Sequence, residues 1–248
     1  MKRLYALFFA VFVSINIQAQ QMHSIPQQSI QLPTSSLNEE EINVEAFEIS
    51  SFISLGEYKE YLEEIKKDSS YEYYLSQLPD SSITIQEDVF VEYLHNPAYE
   101  NYPVLGISWD NAMNFCKWKS LKENNGEMEF IYRLPLYAEW FAAQTYLEKE
   151  AIAHDFNKHF SDFLLNSYSD RRIRESLEDV YFHKKNDHAY FKRKCIIGNS
   201  YRFNNLEDFR ILAYGFADQG HRQVGFRVVK TKINTLEKQV LKYWAYEN

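Results

Sequence analysis

Tyr102-Pro103-Val104-Leu105-Gly106-Ile107-Ser108-Trp109 decides the architecture. Two later stretches complete it, Tyr132-Arg133-Leu134-Pro135 leading into Ala138-Glu139-Trp140, and Val224-Gly225-Phe226-Arg227-Val228-Val229. In the first, Ser108 or Asp110 caps a helix whose inner face is Ala112, Phe115 and Cys116, flanked by Trp118. In the second, Pro135 marks the start of a helix carrying Ala138, Trp140, Phe141 and Ala142. Upstream, Val44 to Ile49 alternate as a short strand does. Ser54 and Glu57 then have capping-box spacing, and Tyr58, Tyr61, Leu62 and Ile65 form one buried helical face behind them.

Together the three stretches resemble the formylglycine-generating-enzyme (sulfatase-modifying factor) family. Its members read P-V-x-x-V-S-W-x-x-A-x-x-F-C-x-W, then R-L-P-T-E-A-E-W, then I-G-F-R-V-V. The resemblance implies an α+β fold of the formylglycine-generating-enzyme, C-type-lectin-like kind, with short strands, few helices and much irregular structure. It implies a core bridge between Arg133 and Glu139 and structural roles for Trp109, Trp140, Gly225 and Arg227. Cys116 falls at the F-C-x-W position and is expected buried and free. Tyr93 to Tyr102 is similar to a stretch of the family's non-catalytic gliding-motility lipoprotein branch, whose members serve envelope machines.

The family's oxidases bind copper through two thiols in a pattern like G-G-S-F-x-C-x-x-x-x-C. Laid on the stretch from Gly198, these positions fall at Phe203 and Asp208, and no Cys follows Cys195. Cu(I) prefers sulfur ligands, and neither a phenyl ring nor a carboxylate replaces them. No cofactor is therefore expected, although family members often hold a structural calcium. The same surface, with Tyr201, Arg202, Phe203, Phe209 and Arg210, is a candidate for gripping a polypeptide or glycan. Core packing is the equal alternative for its rings.

Other chemistry has weaker support. His154 with His159, and His183 with His188, are each five residues apart, which faces poorly for one metal on a helix. An enzyme with a relocated site at His183, Asp187 and His188 stays open as an alternative, as does a sulfatase-modifying accessory that binds without oxidising. Arg171, Arg172 and Arg174 lie among acidic residues as helical salt pairs do.

Residues 1–19 read as a signal peptide: Lys2 and Arg3 precede an apolar run from Leu4 to Val13 that is too short for a bilayer. The mature chain is thus expected to be exported, periplasmic or cell-surface associated, with no integral membrane segment after cleavage. The chain carries 35 acidic against 27 basic residues, a net charge of −8, and losing the leader makes it more negative. This disfavours nucleic acid and anionic lipid, and leaves a protein partner in the cell envelope. Residues 20–43, rich in Gln, Ser and Pro, read as a flexible N-terminal segment, 44–232 as the domain, and 233–248 as a C-terminal amphipathic helix. A further helix is expected from Ser161 to Glu178.

Overall fold

The computed structural model describes residues 21–33, 39–83, 87–149, 160–167, 193–198 and 213–246. The chain opens with strands β1 (Met22–Ile25), β2 (Gln28–Pro33), β3 (Glu39–Val44) and β4 (Phe47–Ser50). Helices α1 (Leu55–Asp68), α2 (Tyr71–Ser76), α3 (Glu87–His95) and α4 (Trp109–Asn124) follow, then β5 (Phe130–Arg133) and α5 (Tyr137–Lys149). The remainder is β6 (Ser161–Ser167), β7 (Arg193–Gly198), β8 (Ala213–Phe216), β9 (Val224–Gly225), β10 (Val229–Lys232) and α6 (Thr235–Tyr246). No helix among the described residues is long and apolar enough to cross a membrane.

One antiparallel sheet has the order β1-β4-β10-β5, and a second has the order β8-β7-β6-β9 with β6 and β9 parallel. A hairpin, β2–β3, forms the third. The second sheet is covered on both faces. Phe163, Leu165 and Ile196 join one core, while Leu164, Cys195 and Ile197 join the other.

Two expectations are overturned. The described parts of residues 20–43, namely 21–33 and 39–43, are not a flexible lead-in, because β1 pairs with β4 from Met22↔Ser50 to Ile25↔Phe47 and the β2–β3 hairpin packs on α5. Gln, Ser and Pro mask a period-two pattern in which Ile25, Ile30, Leu32 and Val44 are all buried. The helix expected from Ser161 begins instead as strand β6. Its three consecutive apolar residues, Phe163 to Leu165, satisfy two cores at once, and a short apolar run does not by itself distinguish strand from helix. Residues 168–178 lie outside the described residues. A smaller revision concerns Val44 to Ile49. Val44 ends β3, and the next strand starts only at Phe47.

The helix starts follow their local chemistry. The Ser54 hydroxyl accepts from the Glu57 amide at 3.2 Å, and the Ser54 amide donates to Glu57 Oε2 at 3.0 Å. Ser108, not Asp110, caps α4, with Asn111 returning the second bond of the box. At α5 the family's threonine cap is absent, and Glu139 Oε2 accepts the Leu136 amide at 2.8 Å instead. Among the described residues of 68–90 are α2, a 3-10 turn at Ser81–Ile83 and the start of α3.

Candidate functional site

β7 is the strand that delivers the chain to the expected site. Its last residue, Gly198, pairs with Ser161 and has φ +113°, a left-handed conformation that favours glycine. A β-carbon there would lie 3.1 Å from the Phe160 carbonyl oxygen and 3.2 Å from Ser161 Cα. The residues beyond it, Tyr201, Arg202, Phe203, Asp208, Phe209 and Arg210, lie outside the described residues. So do His154, His159, Arg171, Arg172, Arg174, His183, Asp187 and His188, together with the leader 1–19.

What is described is the platform beneath that strand. Arg227 Nε donates to Asp162 Oδ2 at 3.1 Å, and Trp140 Nε1 donates to the same oxygen at 2.8 Å. The guanidinium carbon lies 4.1 Å from the centroid of Phe52, whose ring meets Phe160 edge-on. Gly225 lets Phe52 approach, since a β-carbon there would lie 3.2 Å from both that ring and the Val104 carbonyl oxygen. Burial pushes the Asp162 carboxyl up, and the pull of Arg227 and Trp140 offsets this only in part. Asp162 Oδ1 is buried with no hydrogen-bond partner among the described residues. This cluster ties β6 and α5 to the link between β9 and β10. Pairs of this kind fix geometry more than they add stability.

A second ionic centre ties in the C-terminus. Arg133 makes two 2.7 Å bonds to Glu139 and a 2.8 Å bond from Nε to Glu237. Burial alone would lower the Arg133 pKa, but Glu139 and Glu237 overcome it and hold the group charged. The bridge between Arg133 and Glu139 is therefore as expected, while Glu237 was missed. Its signal was present: Asn234 and Glu237 have capping-box spacing at the start of α6, and the Leu236 amide donates to Asn234 Oδ1 at 3.0 Å. α6 packs back on the domain through Leu236, Val240, Tyr243 and Trp244.

Lys194 was also missed. It is buried on β7 with its ammonium 4.1 Å above the Trp109 ring, while Trp109 Nε1 donates to the Leu164 carbonyl at 2.8 Å. Trp109 and Trp140 are thus core fixtures, as expected.

The donor set for copper does not fit. The chain has two cysteines, both buried and both keeping their thiols, and they sit in separate cores. Burial pushes the Cys116 thiol well above the ordinary thiol range, which opposes the thiolate a metal needs. Among the described residues, no group of three or more His, Cys, Asp and Glu is placed to hold a metal.

Residues 13–169 match the family described as "Sulfatase-modifying factor enzyme 1-like domain". The chain belongs to this family. The match ends before β7, so the sulfatase-modifying-factor assignment rests on the N-terminal two thirds of the domain. Solved structures carry the likeness further at the level of the fold. Treponema denticola variable protein 1 aligns with TM-score 0.55 and 11% identity over 85% of this chain and 94% of that one. A crystal structure of CarF aligns at 0.53 and 11% over 87% and 99%, and PvdO from Pseudomonas aeruginosa at 0.52 and 12% over 86% and 94%. The α+β sulfatase-modifying-factor fold, with short strands and few helices, is thus established. No curated protein matches by sequence.

Proposed function

We propose that this is an exported, non-catalytic sulfatase-modifying-factor protein, a binding or scaffold component of a cell-envelope assembly of the gliding or protein-secretion type. One observation carries the non-catalytic half: both thiols of the chain are enclosed, at 0% and 1% exposure. Cysteine oxidation by the family's route needs sulfur ligands at an open site. The binding half draws on the aromatic and basic residues Tyr201, Arg202, Phe203, Phe209 and Arg210, which in sequence occupy or flank the family's thiol positions. Export draws on the leader at 1–19, and the envelope setting on the Tyr93–Tyr102 likeness to the gliding lipoprotein branch.

The test is an oxygen-uptake assay on purified protein with Cu(I) and a peptide bearing a sulfatase-type cysteine motif. The expected result is no aldehyde and no oxygen consumed beyond the protein-free control. Aldehyde formed with matching oxygen uptake overturns the reading. Intact mass of the protein recovered from the periplasm tests export, with loss of residues 1–19 expected. Full-length protein confined to the cytoplasm overturns it.

A further inference from the structure

Between Lys67 and Lys117 the chain has no Lys and no Arg, and it carries eight Asp or Glu. At the overall frequency of 27 basic residues in 248, a stretch of that length holds about five. This stretch folds into α2, α3, the 3-10 turn Pro97–Tyr99 and the approach to α4. Among the described residues, it also contains six of the seven most exposed large apolar side chains, including Tyr71 (70%), Val89 (60%) and Tyr102 (50%). Acidic charge and exposed apolar surface therefore come from the same segment.

α3 arranges them on one helix. Phe90 is buried, and Tyr93 and Leu94 pack partly against the core. At about 100° per residue, Asp88, Val91, Glu92 and His95 fall on the opposite face, with Val89 at its flank. Asp88 and Glu92 are exposed and one turn apart, and neither has an ion-pair partner among the described residues. Asp88 lies in the first turn of α3, where a carboxylate suits the helix dipole, and Glu92 adds a second exposed carboxylate one turn further on. Elsewhere on the segment charge is partly balanced. Lys59 lies 3.5 Å from Glu100, and Lys66 stands over the Tyr74 ring at the end of α1, beside α2.

The exposed Tyr102 ring ends a run of rings that is ordered before any partner arrives. Tyr93 donates to the Pro103 carbonyl at 2.5 Å, and the rings of Phe90, Tyr93, Tyr99 and Tyr102 follow one another at 6.1, 5.1 and 5.5 Å. α2 is anchored by polar contacts. Buried Gln77, at its end, accepts through Oε1 from Tyr61 at 3.0 Å and Asn111 at 3.1 Å, and no residue of α2 itself is buried. Surface fixed in this way loses little conformational freedom on binding.

We propose that the outer face of α3, with Val89 at its flank, docks a polypeptide segment carrying Lys or Arg among apolar side chains. Charge complementarity selects this occupant. The acidic face repels anionic lipid and nucleic acid, and a net charge of −8 disfavours a second copy of the chain. The proposal uses no residue beyond Gly198, so its test can fail without touching the binding role drawn from Tyr201 to Arg210.

The experiment uses the full mature chain and two labelled synthetic peptides of equal length, one alternating Lys with Leu and Trp, the other Glu with Leu and Trp. Fluorescence anisotropy is expected to show saturable binding of the cationic peptide alone. Asp88→Lys with Glu92→Lys, and separately Val89→Ser with Val91→Ser, should each weaken it about tenfold. Glu39→Lys with Glu40→Lys, equally acidic but on the hairpin, should leave it unchanged. These positions are exposed, and circular dichroism will report retained folding. Equal losses in the α3 and hairpin variants, or no saturable binding, overturn the proposal. A dimer by ultracentrifugation that the α3 variants dissociate also overturns it in favour of self-association. Loss confined to a Tyr201→Ala, Arg202→Ala variant overturns the α3 face while leaving the binding role intact.

Discussion

Glu237 Oε1 and Arg133 Nε sit 2.8 Å apart with the Glu237 side chain at 0% exposure, so the C-terminal helix is locked to the central sheet by a charge that water does not reach. Removing one partner leaves the other buried and uncompensated, which costs roughly 3–5 kcal/mol. Glu237→Ala is therefore expected to lower the urea midpoint sharply. Arg133→Met should be worse, since it strands both Glu139 and Glu237. Double-mutant analysis with Glu139→Gln should show strong non-additivity, because the two carboxylates share one guanidinium.

The acid limb of the stability profile should contain a contribution from Glu64. Its carboxylate accepts from Lys122 at 2.7 Å and from Trp118 Nε1 at 2.7 Å, and the Lys122 bond foremost holds its pKa below the ordinary glutamate range. A depressed carboxylate stabilises the fold above its unfolded pKa, and that stability is lost as pH falls through the folded value. The pair is about half exposed, so the effect stays under about 1 kcal/mol. Thermal melts of Glu64→Gln should differ from the parent at pH 7 and converge with it once the pH is below the depressed folded value.

The helix starts were legible because they rest on short-range chemistry, whereas Val224 to Val229 divides between β9 and β10 in two different sheets. Ser54 with Glu57, Ser108 with its helix and Pro135 each act within four residues, and the structure places each where the sequence does. The N-terminal strands were not legible. The partner of β1 lies some 25 residues downstream, and the apolar residues of β2 and β3 gain burial only once α5 packs on them. β6 failed for a related reason, since Phe163-Leu164-Leu165 serves cores on both sides and shows no alternation. Of the candidate site, the supporting ions Arg133, Glu139 and Arg227 were legible from family motifs. Lys194 was not, because nothing local predicts a buried ammonium on an indole ring.

Gly198→Ala should test how tightly the end of β7 is constrained. The substitution forces a β-carbon into φ +113° and against the Phe160 carbonyl oxygen, and backbone groups at that distance cannot rotate away. A loss of about 1–3 kcal/mol is expected by chemical unfolding. A neutral result would mean that β6 and β7 separate at this end at little cost.

Thiol labelling joins the fold to the proposed loss of chemistry. Cys116 and Cys195 are the chain's only sulfur nucleophiles, and both are enclosed, Cys116 at 0% and Cys195 at 1% exposure. Labelling requires thiolate and access together. Burial suppresses the first at Cys116, and packing denies the second at both. A maleimide reagent at neutral pH is expected to modify neither residue in the native protein over minutes, and both in concentrated urea. Labelling after long incubation should follow global unfolding, and Glu237→Ala should accelerate it, because α6 packs in the same core as Cys116. Rapid native labelling of Cys195 would expose a thiolate on the strand that leads to the vacated copper positions. A redox role would then replace the non-catalytic reading.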